Sequence, residues 1–184
     1  MPKDNNKLYS DINQIFYEVW DPIGVNHDAP QDEYSSYVLP IYKAVIRGDS
    51  KDKIAYMLDT YIQESMEMDS QLKHCQNVAE LILNWSKWVL VSPPDAAVFT
   101  TKRVADKKAE VYRLIRDNEG DWQALDDMPW NKDEAAILAL ACLIQDHPAL
   151  SEPAAQLDKE SWGMQATRTL DGSWKISKYK NDEP

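Results

Sequence analysis

Apolar side chains recur every three to four residues along most of this sequence, the spacing that places them on one face of an α-helix. Six segments show the pattern, at residues 8–20, 31–47, 54–62, 72–89, 104–115 and 135–145. Only 5 of the 184 residues are glycine, which is too few for the many tight turns of a loop-rich all-β fold. The sequence therefore predicts a mainly α protein, a compact bundle of about six helices.

Local signals predict where the N-terminal helices begin and end. The first helix stops before Pro22, because a residue that precedes proline is pushed out of the α region. Gly48 follows the second helix as a natural C′ residue, and Asp49 or Ser50 caps the third. Pro40 lies inside the second segment, where it should kink or break the helix.

The second half of the chain is expected to be helical as well. The fifth helix ends before Gly120, and residues 122–130 form an acidic connector that contains two tryptophans. The segment 131–134 resembles a capping box with asparagine in place of serine or threonine. It opens an almost wholly apolar helix that reaches Gln145, and such a helix should be central to the core.

A β-hairpin is predicted near the C-terminus. Asp171-Gly172 lies between two strand-like runs, residues 164–170 and 173–179, and this dipeptide is a strong hairpin signal. Because a lone two-stranded hairpin is only marginally stable, it should pack Trp174 and Ile176 against the helices.

The chain is long enough for one full domain, and residues 1–184 are expected to form one. The best place for a sub-division is the Ser-Pro-Pro sequence near residues 92–95. It would separate an N-terminal helical half, 1–92, from C-terminal helices and the hairpin at 95–184.

Charge and hydropathy narrow the class of partner. The net charge is -11, with 8 basic and 14 acidic side chains in residues 1–92 and 12 and 17 in residues 93–184. A surface that is negative throughout repels nucleic acid and anionic lipid, so neither is an expected partner.

The longest apolar runs are too short to cross a bilayer, and no signal peptide is recognisable. The expected location is the cytoplasm. Cys75 and Cys142 are expected to be free thiols there, and a disulfide between them is the alternative.

The sequence carries one family resemblance. Residues 20–25, Trp-Asp-Pro-Ile-Gly-Val, are followed at residues 32–37 by Asp-Glu-Tyr-Ser-Ser-Tyr. The pair resembles a family of small helical bacterial proteins of unassigned function, in which W-D-P-x-G ends the first helix and D/E-x-Y opens the second. The resemblance covers about residues 8–68. It implies a presumed immunity protein, since such domains are often encoded beside polymorphic toxins, including those of contact-dependent growth inhibition.

The residues of this element also have a purely structural explanation. Trp20 can cover the end of the first helix, Pro22 can stop it, and Gly24 permits a backbone conformation closed to other residues. Turns of this composition are usually scaffold, and that interpretation is favoured over direct binding.

No recognisable catalytic or cofactor site is present. The nearest approach to a metal-binding set is His27, Asp28, Asp32 and Glu33, but the spacing fits no established ligand pattern. His74 and Cys75 are adjacent on one helix and so point in different directions, and His147 lies at a helix end. The sequence contains no phosphate-binding glycine loop, zinc-protease motif or serine-hydrolase elbow. We therefore predict a protein that is not an enzyme and that uses no cofactor or metal.

The acidic connector is the candidate site for binding a partner. Tryptophans inside a charged rim are typical of interface hot spots, and acidic groups accelerate the capture of a basic partner. Burial of both tryptophans in the core is a slightly stronger alternative. The candidate residues are Asp121, Trp122, Asp126, Asp127 and Trp130.

Together these features predict an immunity protein, a monomer when free, that covers the active site of a cognate toxin. A nuclease toxin must engage phosphate and is therefore often basic, which suits an acidic partner. Two alternatives stay open: an enzyme that uses carboxylates, and a helical adaptor that regulates an endogenous protein. The sequence does not identify the toxin.

Overall fold

The computed structural model describes residues 5–26, 28–88, 91–160 and 162–180. It divides into two compact units, Met1–Val89 and Leu90–Pro184. The expectation of a single domain stays a prediction, and each unit is described by itself. Within the described residues, no helix combines the length and the apolar character needed to cross a membrane.

The predicted mainly α bundle is wrong. The described residues form seven helices, which make the chain 50% helical, and a six-stranded mixed sheet that accounts for 16%. The N-terminal unit is helical, as predicted, but the C-terminal unit is built on the sheet. The hairpin at the C-terminus is confirmed, yet it forms one third of this sheet rather than an addition to a helical bundle.

Four helices form the described part of the N-terminal unit. They are α1 (Asn5–Ile15, continued by a π-helical turn Phe16–Trp20), α2 (Ser35–Arg47), α3 (Lys51–Thr60, continued by a π-helical turn Tyr61–Ser65) and α4 (Leu72–Trp88). Gly48 follows α2 with φ of 81°, and the Ser50 hydroxyl accepts a bond of 3.3 Å from the backbone N–H of Lys53, so both predicted caps are confirmed. Pro40 lies inside α2 without breaking it, because the carbonyl that loses its partner belongs to the exposed Ser36.

The Trp-Asp-Pro element is part of this unit's architecture. The Trp20 ring is 1% exposed and lies between Phe16 and Tyr34, with ring centroids 4.7 and 5.5 Å away. The Asp21 carboxylate accepts a 2.5 Å bond from the Tyr34 hydroxyl and a 2.9 Å bond from the N–H of Val25. Burial first, and then this carboxylate, raise the pKa of Tyr34. The contacts match the structural explanation given for the element.

Among its described residues, the C-terminal unit contains six strands and three helices. In chain order they are β1 (Ala97–Thr101), α5 (Lys102–Ala105), β2 (Arg113–Arg116), β3 (Trp122–Leu125), β4 (Ala135–Ala139), α6 (Leu140–Asp146), α7 (Ser151–Lys159), β5 (Met164–Arg168) and β6 (Trp174–Lys178). The strand order is β4-β1-β3-β2-β5-β6, with β1 and β3 parallel and every other pair antiparallel. β4 and β6 are therefore the edge strands.

The two faces of the sheet differ in burial. One face is buried, and α6 contacts β1 while α7 contacts β2, β5 and β6. Its buried side chains in register across the sheet are Val98, Thr100, Trp122, Ala124, Leu114 and Ala166. The opposite face carries Phe99 and Ile137, which are 43% and 62% exposed, while Ile115 on that face is buried. We call this second face the outer face.

Two helix predictions in this unit are wrong for physical reasons. The backbone of Lys107 has φ of 59°, which ends α5 after one turn, and residues 113–116 pair as a strand instead of continuing a helix. The connector contains β3, and the apolar segment from Ala135 begins as β4 before α6 starts at Leu140. A continuous apolar run fits a helix or a buried strand equally well, so sheet pairing decided these segments.

Candidate functional site

The five candidate residues do not form one cluster. Asp121 precedes β3 and Asp126 follows it, so the two carboxylates lie at opposite ends of the strand. Five extended residues span roughly 16 Å at about 3.3 Å each. Only the part that follows β3, residues 126–131, lies in an exposed loop, which we call the connector loop.

Trp122 belongs to the core of the unit. Its side chain is 2% exposed, and its indole N–H donates to the Ser92 hydroxyl at 3.1 Å. The Arg116 guanidinium lies 4.7 Å from the ring centroid in a cation–π arrangement. The Ser92 hydroxyl in turn donates to the Asp158 carboxylate at 2.7 Å. Trp122 therefore offers no surface to a partner.

Asp126 is the buried anchor of the connector loop. Its carboxylate accepts bonds from Arg103 Nε at 2.9 Å and Nη2 at 3.1 Å, and from the Thr101 hydroxyl at 3.0 Å. It also accepts the backbone N–H of Met128 at 3.0 Å, which fixes the first turn of the loop. The Arg103 hydrogen bond is the main cause of the lowered pKa of this carboxyl. Asp126 thus holds the loop and is not available to a partner.

The exposed side chains of the connector loop include two large apolar groups and a carboxylate. Met128 is 59% exposed and Trp130 is 53% exposed, and Asp127 between Asp126 and Met128 is exposed as well. The Asn131 carboxamide oxygen accepts the N–H of Asp133 at 3.0 Å, which closes the far end of the loop. A loop that is fixed at both ends and carries an exposed aromatic side chain and an exposed carboxylate has the composition of a binding hot spot.

A groove of about 420 Å³ borders the connector loop. Its lining residues are Tyr112, Arg113, Asp126, Asp127, Met128, Pro129, Gln165 and Thr167. The side-chain oxygen of Gln165 is buried and has no hydrogen-bond partner among the described residues. A second groove of about 620 Å³ shares Tyr112 and Thr167 and continues toward Lys175 on β6.

Sequence reasoning missed Tyr112 and Met128, which lie in the groove, and the exposed Trp162. Tyr112 lies within the predicted fifth helix, residues 104–115, but in the structure it directly precedes β2 and is 44% exposed. Met128 carried no periodic signal. Trp162 lies over Gly120, at the end of β3 opposite to the connector loop.

The other chemical candidates have local explanations. His27 lies outside the described residues, and Asp28, Asp32 and Glu33 are exposed. Within the described chain, no three His, Cys, Asp or Glu side chains come together as ligands of one metal ion. The His74 ring nitrogen Nε2 is 2.7 Å from the Trp20 carbonyl oxygen, and burial raises the pKa of the Cys75 thiol to about 11.

Comparison with known proteins does not assign this chain to a family. No family model matches the chain, and no match was found among curated proteins or solved structures. The family resemblance of residues 20–25 and the proposed partner residues therefore stay predictions.

Proposed function

We propose that this chain is a cytoplasmic immunity protein that binds a cognate bacterial toxin and covers its active site. The toxin is a basic protein, and a nuclease of a polymorphic or contact-dependent inhibition system fits best. The observation that carries the proposal is the connector loop, where Met128 and Trp130 are exposed beside Asp127. Asp121, Trp122 and Asp126 are left out of the proposed contact surface.

The rigidity of the loop supports a role in recognition. Asp126 is held by Arg103 and Thr101, and its carboxylate fixes the N–H of Met128. A loop ordered before binding loses less conformational entropy when the complex forms. Trp130 can then serve as the aromatic anchor without the whole segment having to order around it.

The groove beside the loop supplies a complementary shape. A protruding side chain of the partner can enter between Tyr112 and Met128, where Asp127 supplies a negative charge. An arginine or lysine fits this combination, because it is a pure hydrogen-bond donor with a positive charge. Basic side chains that engage phosphate in a nuclease would be masked by such contacts.

The net charge of -11 supports the same class of partner. Long-range attraction between an acidic and a basic protein raises the association rate, and added salt weakens it. The proposal therefore predicts an association rate that falls as ionic strength rises.

The decisive experiment is surface plasmon resonance against the product of the adjacent gene, using the full chain. Asp127→Lys should slow association, and Trp130→Ala should speed dissociation at least tenfold, since truncation of a hot-spot side chain acts mainly on the off-rate. Asp121→Lys and Trp162→Ala are the matched controls, because both residues are exposed and lie at the other end of β3.

Two results would count against the proposal. If no complex forms and the neighbouring product keeps its activity in the presence of this protein, the immunity function is wrong. If a complex forms but the control variants weaken it as much as Asp127→Lys and Trp130→Ala do, the connector loop is not the contact surface.

A further inference from the structure

The two edges of the C-terminal sheet differ in how they are protected. β6 has the sequence Trp-Lys-Ile-Ser-Lys, and its exposed Lys175 and Lys178 are the usual defence against edge-to-edge pairing. β4 has the sequence Ala-Ala-Ile-Leu-Ala, with no charge, proline or glycine. Its central residue, Ile137, is 62% exposed. β4 is therefore an unprotected edge.

The register with β1 shows which backbone groups of β4 point outward. The N–H of Leu140 donates to the carbonyl of Ala96 at 2.9 Å, which makes these two residues a hydrogen-bonded pair of the ladder. Hydrogen-bonded and non-hydrogen-bonded pairs alternate along an antiparallel ladder. Ala135, Ile137 and Ala139 therefore form non-hydrogen-bonded pairs with β1, and their backbone groups point to the open edge.

Ala135, Ile137 and Ala139 together have six outward N–H and carbonyl groups, and two of these already form hydrogen bonds within the chain. The N–H of Ala135 donates to the carbonyl of Lys132 in the preceding 3-10 turn. Ala139 is the N-cap of α6, so its carbonyl accepts the first bond of that helix. The groups left on this edge, with no partner among the described strands, are the carbonyl of Ala135, both groups of Ile137 and the N–H of Ala139.

This remaining set is self-complementary. When a second copy of β4 is placed antiparallel around a two-fold axis at Ile137, each Ile137 N–H meets the Ile137 carbonyl of the other copy. Each Ala139 N–H meets the Ala135 carbonyl of the other copy. All four groups on each strand are then satisfied by four hydrogen bonds, and an isologous pair of this kind is the commonest form of homodimer.

The side chains fit the same arrangement. Phe99 and Ile137 are cross-strand partners on the outer face, 43% and 62% exposed. Pairing across the two-fold axis would align them with their counterparts in one apolar row of four side chains, which stabilises neighbouring strands. Alanine at positions 135 and 139 presents no bulk or charge to the second copy.

We propose that the protein forms a homodimer through antiparallel pairing of β4 with β4 of a second copy. The two sheets become one continuous sheet of twelve strands. The contact is short and the two copies each carry a charge of -11, so the dimer is weak and is strengthened by salt. This inference does not rest on the proposed function, and the monomer expected from the sequence is the competing outcome.

The test is sedimentation equilibrium of the full chain from micromolar to several hundred micromolar, at low and high salt. The mass should rise with concentration from 21.2 kDa toward twice that value, and more steeply at high salt. Ile137→Lys and Ile137→Glu should each raise the dissociation constant at least tenfold, because like charges then face each other across the axis. An equimolar mixture of the two variants should restore association.

The design separates pairing from general effects of charge. Lys175→Glu, on the protected β6 edge, is the matched control and should leave the association unchanged apart from the general repulsion. Position 137 is exposed, so the variants should keep the wild-type circular dichroism. A wild type that stays at 21.2 kDa throughout would overturn the proposal. So would a mixture of the two Ile137 variants that associates no better than either alone.

Discussion

Replacement of Asp126 by asparagine should destabilise the protein far more than the same change at its neighbour Asp127. The Asp126 carboxylate is buried and accepts four hydrogen bonds, two of them from Arg103. Asp127 is exposed. The pair of variants therefore has the same chemistry and neighbouring positions but opposite environments.

The expected loss of stability depends on the interactions that Arg103 keeps in the Asp126→Asn variant. Removing one partner of a fully buried ion pair costs about 3–5 kcal/mol, because the other charge stays buried without compensation. Here the Arg103 side chain is 29% exposed and also contacts Glu134, and asparagine keeps part of the hydrogen bonding. We expect about 2 kcal/mol for Asp126→Asn, against less than about 0.5 kcal/mol for Asp127→Asn, the usual range of surface changes.

Urea unfolding followed by tryptophan fluorescence measures this difference. With a slope of about 2 kcal/mol per M, Asp126→Asn should lower the midpoint by roughly 1 M. Equal midpoints for the Asp126→Asn and Asp127→Asn variants would refute the argument that Asp126 is the anchor of the connector loop.

The stability difference between wild type and Asp126→Asn should change with pH in a definite direction. The Arg103 bond holds the pKa of Asp126 below its ordinary value of 3.8 in the folded state. The ionised Asp126 carboxylate therefore contributes to stability above about pH 3.8, and this contribution is lost as the pH falls through the lowered pKa. The difference between wild type and Asp126→Asn should be constant near neutral pH and should shrink below about pH 3.8. A difference that grows on acidification would contradict this assignment.

Three further variants test other parts of the fold. Trp20→Ala should cost about 3–5 kcal/mol in urea unfolding, because its ring is 1% exposed; a loss below about 1 kcal/mol would contradict its role in the core. In a Cys142→Ser background, Cys75 should resist thiol reagents at pH 8 until urea unfolds the protein, since burial raises the pKa of its thiol to about 11; fast labelling of the folded protein would contradict that burial. Gly120→Ala should cost about 1 kcal/mol more than Gly172→Ala, because both have positive φ but only a Cβ at Gly120 would meet the Trp162 ring, at 2.7 Å. Equal costs would show that the ring moves aside freely.

The N-terminal unit was largely predictable because its signals are local. The cap at Ser50, the glycine after α2 and the periodic apolar stripes depend on residues within a few positions of one another. The Asp171-Gly172 hairpin was predictable for the same reason, since one turn fixes both of its strands.

The sheet was not predictable because its pairing partners are distant in sequence. β1 pairs with β4 about 40 residues later, and β2 pairs with β5 about 50 residues later. Arg113–Arg116 has only two apolar residues, and the five residues of β4 do not alternate in polarity. Neither strand shows the period of two that identifies a half-buried strand. The candidate site could not be predicted for the same reason. β3 places Trp122 in the core and separates Asp121 from Asp126, and this separation follows only from the pairing of the sheet.

The connector loop and the β4 edge belong to one continuous segment, residues 126–139, yet the two proposed interactions respond oppositely to salt. Binding of a basic toxin joins unlike charges, so salt should weaken it, whereas pairing of two copies joins like charges, so salt should strengthen it. Asp127→Lys should therefore slow toxin association and, by reducing the repulsion between copies, leave the dimer intact or slightly tighter. Ile137→Lys should dissociate the dimer even though it also makes the chain less acidic. If both variants changed both interactions in the same direction, the segment would be acting through a shared change in structure, which circular dichroism and the urea midpoint would reveal.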